Sequence, residues 1–286
     1  LLSLTACVSA QELVLTPQNF VISPGPDTLY TVGTGTVSVP AEGGNVRWDY
    51  SKITPGVMVP LEIEAAANPA FNDAFCVTKN LFDVIAAGRG IYYDEYFALN
   101  AASYGAIGTS IGKQEYGIGD LTFFPTDSII VPEQDHRYED VRMIVRFPFR
   151  AGSEHTSTFT RDLRFSLSVT PFGLKYAAGL KRSRIVQRDT VVGFGTLVIG
   201  DGTGVAAPMP ALLVRRTVSQ IDSFFLNDAP ASSTLLTAFQ IEQGAVTTSG
   251  RYMFLTENRK TPALSFVFGD DTFTQLDEVL RTDPKN

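Results

Sequence analysis

Alternation with a period of two runs through most of this chain, and it narrows the possible folds more than any other feature. Apolar and polar residues alternate through Thr28-Leu29-Tyr30-Thr31-Val32, Thr36-Val37-Ser38-Val39 and Asn45-Val46-Arg47-Trp48-Asp49-Tyr50. In the last of these Val46, Trp48 and Tyr50 share one side, so Trp48 is expected in the core on a face between sheets. Residues 57–64, 91–97, 141–149, 156–170, 184–199, 211–226, 251–256 and 263–268 also read as strands, rich in β-branched and aromatic side chains. Gly200-Asp201-Gly202-Thr203-Gly204, Gly269-Asp270-Asp271 and Asn227-Asp228-Ala229-Pro230 supply turn chemistry between them. Only 232–239 looks helical, with a Ser/Thr start and Leu235, Leu236 and Phe239 on one side; a second short turn is expected at 69–75. Strands and helices do not alternate, which argues against a doubly wound parallel sheet. The expected fold is all-β: antiparallel twisted sheets, as a sandwich or a curled sheet, with one short helix near 232–239.

With 286 residues the chain can bury about 70–75% of its unfolded surface without staples. Charged residues are 19% and 31 residues are aromatic (20 Phe, 10 Tyr, 1 Trp), a composition unlike that of a disordered chain. A net charge of −7 argues against a nucleic-acid partner. The charge is uneven: residues 1–130 hold 5 Lys/Arg and 13 Asp/Glu, whereas 131–286 hold 18 and 17. The shift coincides with 125–140, a stretch rich in acids, so the expected organisation is an acidic β-rich lobe over 11–130 and a second over 131–286, or one continuous domain. Head-to-tail contacts between copies would suit that imbalance, although a solvated surface is the better explanation of it.

The first residues, Leu1-Leu2-Ser3-Leu4-Thr5-Ala6-Cys7, look like the end of a secretory hydrophobic region. Residues 1–10 are therefore expected to be a signal-peptide remnant. Val8-Ser9-Ala10 before Gln11 suits signal peptidase, while Leu4-Thr5-Ala6-Cys7 resembles a lipobox with Cys7 as the lipidated residue. Either form places the protein outside the cytoplasm, on the outer surface or in the periplasm, with membrane contact only through a lipid at Cys7. The second cysteine, Cys76, lies in an apolar run and reads as a buried small hydrophobe, and two cysteines cannot make a thiolate zinc site.

Several catalytic motifs are approached without being completed. Gly108-Thr109-Ser110-Ile111-Gly112 fits G-x-S-x-G, which has meaning only at a strand-to-helix turn followed by Asp and His. Asp127 or Asp135 with His136 or His155 could supply the order, but no helix signal follows. Ile107 and Gln114 spoil a phosphate-binding loop at the same place. Glu62 and Glu64, two apart on a strand, are the nearest thing to a glycosidase pair. Asp270 and Asp271 are weak candidates for calcium and otherwise turn formers. No cofactor is expected. Ile91-Tyr92-Tyr93-Asp94-Glu95-Tyr96-Phe97 is aromatic on both faces; Tyr92, Tyr93 and Tyr96 are weak candidates for a platform that stacks sugars or partner side chains.

Five segments together resemble a group of uncharacterised secreted proteins of Bacteroidota. They are Asn45-Val46-Arg47-Trp48-Asp49-Tyr50, Asp189-Thr190-Val191-Val192-Gly193-Phe194-Gly195-Thr196-Leu197, Ala211-Leu212-Leu213-Val214-Arg215-Arg216, Asp222-Ser223-Phe224-Phe225-Leu226-Asn227 and Thr261-Pro262-Ala263-Leu264. The similarity is clearest over about 165–273. Many members carry a C-terminal sorting domain for type IX secretion, which Asp283-Pro284-Lys285-Asn286 does not resemble. The resemblance implies an exported, β-rich protein and carries no site residues. The expected function is a non-enzymatic secreted or envelope protein acting in surface structure, adhesion or assembly, whose partners are itself, other surface components or glycans. The alternatives are a glycan- or apolar-ligand-binding β module and, further off, a serine or glycoside hydrolase.

Overall fold

The alternating runs become strands in the computed structural model, which describes residues 12–20, 23–200 and 207–282. The first strands are β1 (Asp27–Val32), β2 (Gly43–Tyr50), β3 (Met58–Leu61) and β4 (Ile63–Ala65). Next come β5 (Cys76–Ala86), β6 (Arg89–Leu99), β7 (Ser103–Ile111), β8 (Gln114–Gly117), β9 (Ser128–Val131) and β10 (Gln134–Arg146). The remainder are β11 (Glu154–Val169), β12 (Leu174–Ile199), β13 (Met209–Leu226), β14 (Ala229–Pro230), β15 (Val246–Leu255), β16 (Leu264–Phe268) and β17 (Leu276–Thr282). Helix is confined to short pieces, chiefly α1 (Gly119–Thr122) and α2 (Ser233–Ala238), the latter capped by Ser232 accepting from the Leu235 amide. No helix among the described residues is long and apolar enough to cross a membrane.

Twelve strands form a large sheet along the path β3-β1-β17-β16-β15-β13-β12-β11-β9-β8, with β14 beside β13 and β2 beside β12. Five form a small sheet in the order β10-β7-β6-β5-β4. The sheets are antiparallel, with one parallel pairing, β2 on β12. The all-β, sandwich-like fold is as the alternation leads one to expect. Strands from both sides of 125–140 share both sheets: β1, β2, β3, β8 and β9 from the first half join the large sheet, and β10 from the second joins the small one. Residues 58–65 pass from the edge of one sheet, as β3, to the edge of the other, as β4.

The longest strand organises the interior. Twenty-six residues at about 3.3 Å each would reach roughly 85 Å if straight, far beyond a domain with a radius of gyration near ~19 Å. β12 therefore bends, and its pairing with β13 slips between Val191 and Gly193. One extra residue inverts the alternation beyond it. Before the bulge, odd-numbered Ile185 and Val191 face the small sheet; after it, odd-numbered Leu197 and Ile199 pack in a second cluster with Trp48, Tyr50 and Phe254. Gly195 lets β2 lie close, because a Cβ there would stand 1.9 Å from the Val46 carbonyl oxygen.

Two expectations need correction. Residues 36–39 are not a strand: Thr34–Thr36 is a single helical turn between Gly33 and Val37, and the extended chain that follows is held by the Tyr50 hydroxyl donating to Ser38 O (3.2 Å) instead of a ladder. Trp48 is buried, but inside the curl of the large sheet rather than between sheets; its ring meets Phe254 edge-on at 5.0 Å. In the turn after β12, residues 201–204 lie outside the described residues.

Candidate functional site: a cationic cleft between the sheets

The aromatic segment of β6 does not form one platform. Tyr92 is exposed beside Phe82, Tyr93 points between the sheets, and Tyr96 is buried under Phe71, stacked at 4.2 Å. The Asp270 carboxylate is occupied within its own turn, accepting from the amides of Thr272, Thr274 and Gln275, and those bonds hold it well below the usual carboxylate range. Asp271 has no comparable role. Cys7 lies outside the described residues. Cys76 is free and buried, and burial pushes its thiol up.

The hydrolase motif is likewise explained by the ladder. Ser110 lies within β7, opposite Asp94 on one side and Asp135 on the other, and a turn into strand β8 follows instead of a helix. His136 contacts the Thr160 carbonyl oxygen, and Asp127 is spent on the amide and hydroxyl of Thr170. Glu62 and Glu64 are exposed, Glu62 at the break between β3 and β4. No group of three or more His, Cys, Asp or Glu among the described residues is placed to hold a metal ion.

Charge gathers in the space between the sheets, where an apolar core would otherwise be continuous. Register lines up His155, Asp189, Arg216 and Arg251 as direct neighbours on β11, β12, β13 and β15. Asp189 is fully buried; it accepts from Arg216 Nε at 2.6 Å and from Gln187 at 2.6 Å, with His155 Nε2 at 3.3 Å. A second group lies toward the other end. Arg161 donates to Asp83 at 2.6 Å and to the Tyr93 hydroxyl at 2.8 Å, while buried Lys181 bridges Asp83 and Asp222, each at 3.2 Å. On the small sheet Arg142 reaches both oxygens of buried Glu95 at 2.8 Å, and the Tyr138 hydroxyl donates to the same carboxylate.

Burial by itself would push the Asp83 and Asp189 carboxyls up. Arg161 and Lys181 outweigh it at Asp83, as Arg216 and His155 do at Asp189, so both stay below the ordinary range. Beside these pairs lies an open cavity of about 250 Å³ whose charged lining is Arg142, Arg161, Arg216, Arg251 and Glu95. Arg251 makes no ion pair or side-chain hydrogen bond with any described residue. Burial, then Arg216 and Arg142, outweigh the opposing charge of Glu278 and bring its guanidinium down to about 10, which still leaves it charged at neutral pH.

The search against known proteins gives no further lead: no protein-family model, curated protein or solved structure matches this chain.

Proposed function

We propose that the protein is a non-enzymatic binding module of the envelope or extracellular space, and that the cleft between its sheets is where it holds a ligand. The observation that carries this is the condition of the carboxylates behind the cleft wall, which hold the lining residues Arg161 and Arg216. Asp83 and Asp189 are each gripped by two basic neighbours and kept ionised. A general acid or base works best with a pKa near the operating pH. Groups locked in their charged form are suited to recognition and poorly suited to proton transfer. The leader-like first seven residues and the resemblance to exported Bacteroidota proteins support the compartment. A screen with ester, peptide and glycoside substrates should return no turnover, and Ser110→Ala should change stability by no more than about 0.5 kcal/mol, as for an ordinary surface substitution. Turnover that is lost in Ser110→Ala or Glu62→Gln would replace this reading with a hydrolase.

Self-association is a second reading, favoured by one edge. β3 pairs only with β1 among the described residues, and Val57, Met58 and Val59 at this edge are 72%, 59% and 37% exposed. Apolar edge strands invite pairing with another chain. If copies join here, Met58→Lys should shift a dimer to monomer in sedimentation velocity while leaving the melting temperature within a degree or two. An unchanged sedimentation profile, monomeric for both proteins, would rule the edge out.

A further inference from the structure

We propose that the cleft selects a small organic anion of about monosaccharide size, bearing a carboxylate, sulfate or phosphate group that Arg251 and Arg142 receive. This rests on the reading of the cleft as a ligand site and adds the chemistry it selects.

The argument begins with charge. Five bases meet between the sheets, Arg142, Arg161, Lys181, Arg216 and Arg251; four acids pair with them, Asp83, Glu95, Asp189 and Asp222, while Glu278, in line with Arg251 across Val267, acts on it only through space. Arg142 takes Glu95, Arg161 and Lys181 take Asp83 and Asp222, and Arg216 takes Asp189. Arg251 alone among the five has no ion pair or side-chain hydrogen bond with a described residue. It sits directly opposite Arg216 in the ladder, and like charges in that relation destabilise a sheet. Arg251 is half-buried, and a cation partly withdrawn from water without a direct partner adds to that cost. On the facing sheet, Arg142 Nε is buried with no hydrogen-bond partner. Local rules broken in this way tend to mark functional sites. One bound oxyanion would neutralise the surplus charge and accept from both guanidinium groups, whose planar donors match carboxylate, sulfate and phosphate.

Size and lining indicate what else the ligand carries. A cavity of about 150 Å³ accepts benzene, so 250 Å³ exceeds what a bare inorganic ion fills. Tyr138, Phe159, Ile185 and Val218 offer apolar wall for a carbon skeleton. Gln187, Gln220 and Ser249 add polar side chains that can meet hydroxyl groups. A smaller cavity of about 130 Å³ shares Arg216 and Arg251 and continues toward Lys260, which leaves room for a longer acid.

The test uses the whole chain at low ionic strength, with glucuronate, glucose 6-phosphate, inorganic sulfate and neutral glucose as probes, read by calorimetric titration and melting temperature. Glucuronate and glucose 6-phosphate should bind and raise the melting temperature, sulfate should do so weakly, and glucose should not. Arg251→Gln should weaken the acidic sugars about tenfold to a hundredfold, the scale of losing one charged hydrogen-bond donor. Without ligand the same variant should melt no lower than the wild type, because it relieves the clash with Arg216. Arg251→Lys should recover part of the binding. The proposal is overturned if Arg251→Gln melts lower and binds glucuronate unchanged, or if sulfate binds while the organic acids do not. Equal binding of glucose and glucuronate, both indifferent to Arg251, would sink the anion assignment and leave the binding module standing. Phosphate release from glucose 6-phosphate, lost in Arg251→Gln, would support anion selection and end the non-enzymatic reading.

Discussion

Asp189→Ala should cost about 3–5 kcal/mol of stability, the penalty for removing one member of a buried ion pair. The acid is wholly inaccessible and accepts from Arg216 and Gln187, with His155 beside it. Its loss would leave Arg216 buried next to Arg251 with no anion to separate them. Urea unfolding is the measurement, and the midpoint should fall with little change in slope. Asp189→Ala combined with Arg216→Met should recover most of the loss, since apolar replacement of a whole buried pair is often neutral. A cost below about 1 kcal/mol for the single change would mean that water reaches the site and screens it. The pair also sets a pH dependence. The folded-state carboxyl lies below its unfolded value of about 3.9. Its contribution is complete above that pH and disappears as pH falls through the lowered folded value. Asp83, displaced in the same direction, adds to this acid sensitivity. The Asp189 variant should accordingly lose less stability than the wild type between pH 5 and pH 2.

Trp48→Ala should be nearly as damaging, at about 3–5 kcal/mol, the usual range for emptying a large aromatic site in a core. Trp48 is 3% exposed, packs on Phe254, and donates from Nε1 to the Ala41 carbonyl oxygen at 2.9 Å. Truncation removes ring contacts on the curled part of the large sheet and strips that carbonyl of its donor. As the only tryptophan, its fluorescence reports on this site alone. Emission from the folded protein should be blue-shifted and poorly quenched by acrylamide. Red-shifted, freely quenched emission would contradict the burial.

The strands that pair with long neighbours were legible because inside and outside alternate over many residues. β11, β12 and β13 could be read from Val, Ile and Phe at every second position, and α2 from Ser232 ahead of Leu235 and Leu236. β5 and β17 escaped notice: Asp83 and Lys79 interrupt one, Asp277, Glu278 and Arg281 the other. These are charges of kinds that normally mark loops, yet here Asp83 turns inward and Arg281 is 1% exposed. The cleft was missed for the same reason. Its arginines lie on four strands far apart in the chain, so no motif links them. One signal was available: Arg216 falls in phase with Val214 and Val218, and Asp189 with Ile185 and Val191. Charges on the apolar side of a strand were the trace of an interior polar site. Lys181, followed in the chain by Arg182 and Arg184, is its buried member.

The extra residue in β12 has a consequence for how the protein comes apart. On one side of Val192 the strand carries Ile185 and Asp189 into the space under the small sheet; on the other it carries Leu197 and Ile199 onto Trp48 and Phe254. Two interiors on opposite faces of the large sheet therefore share a single continuous backbone as a wall. Regions of a protein melt independently only where few contacts tie one to the other. Here, withdrawing β12 from either interior strips it from both. The cleft and the tryptophan cluster are mechanically one unit, and strain introduced at the charged end is felt by an aromatic core that no ligand touches.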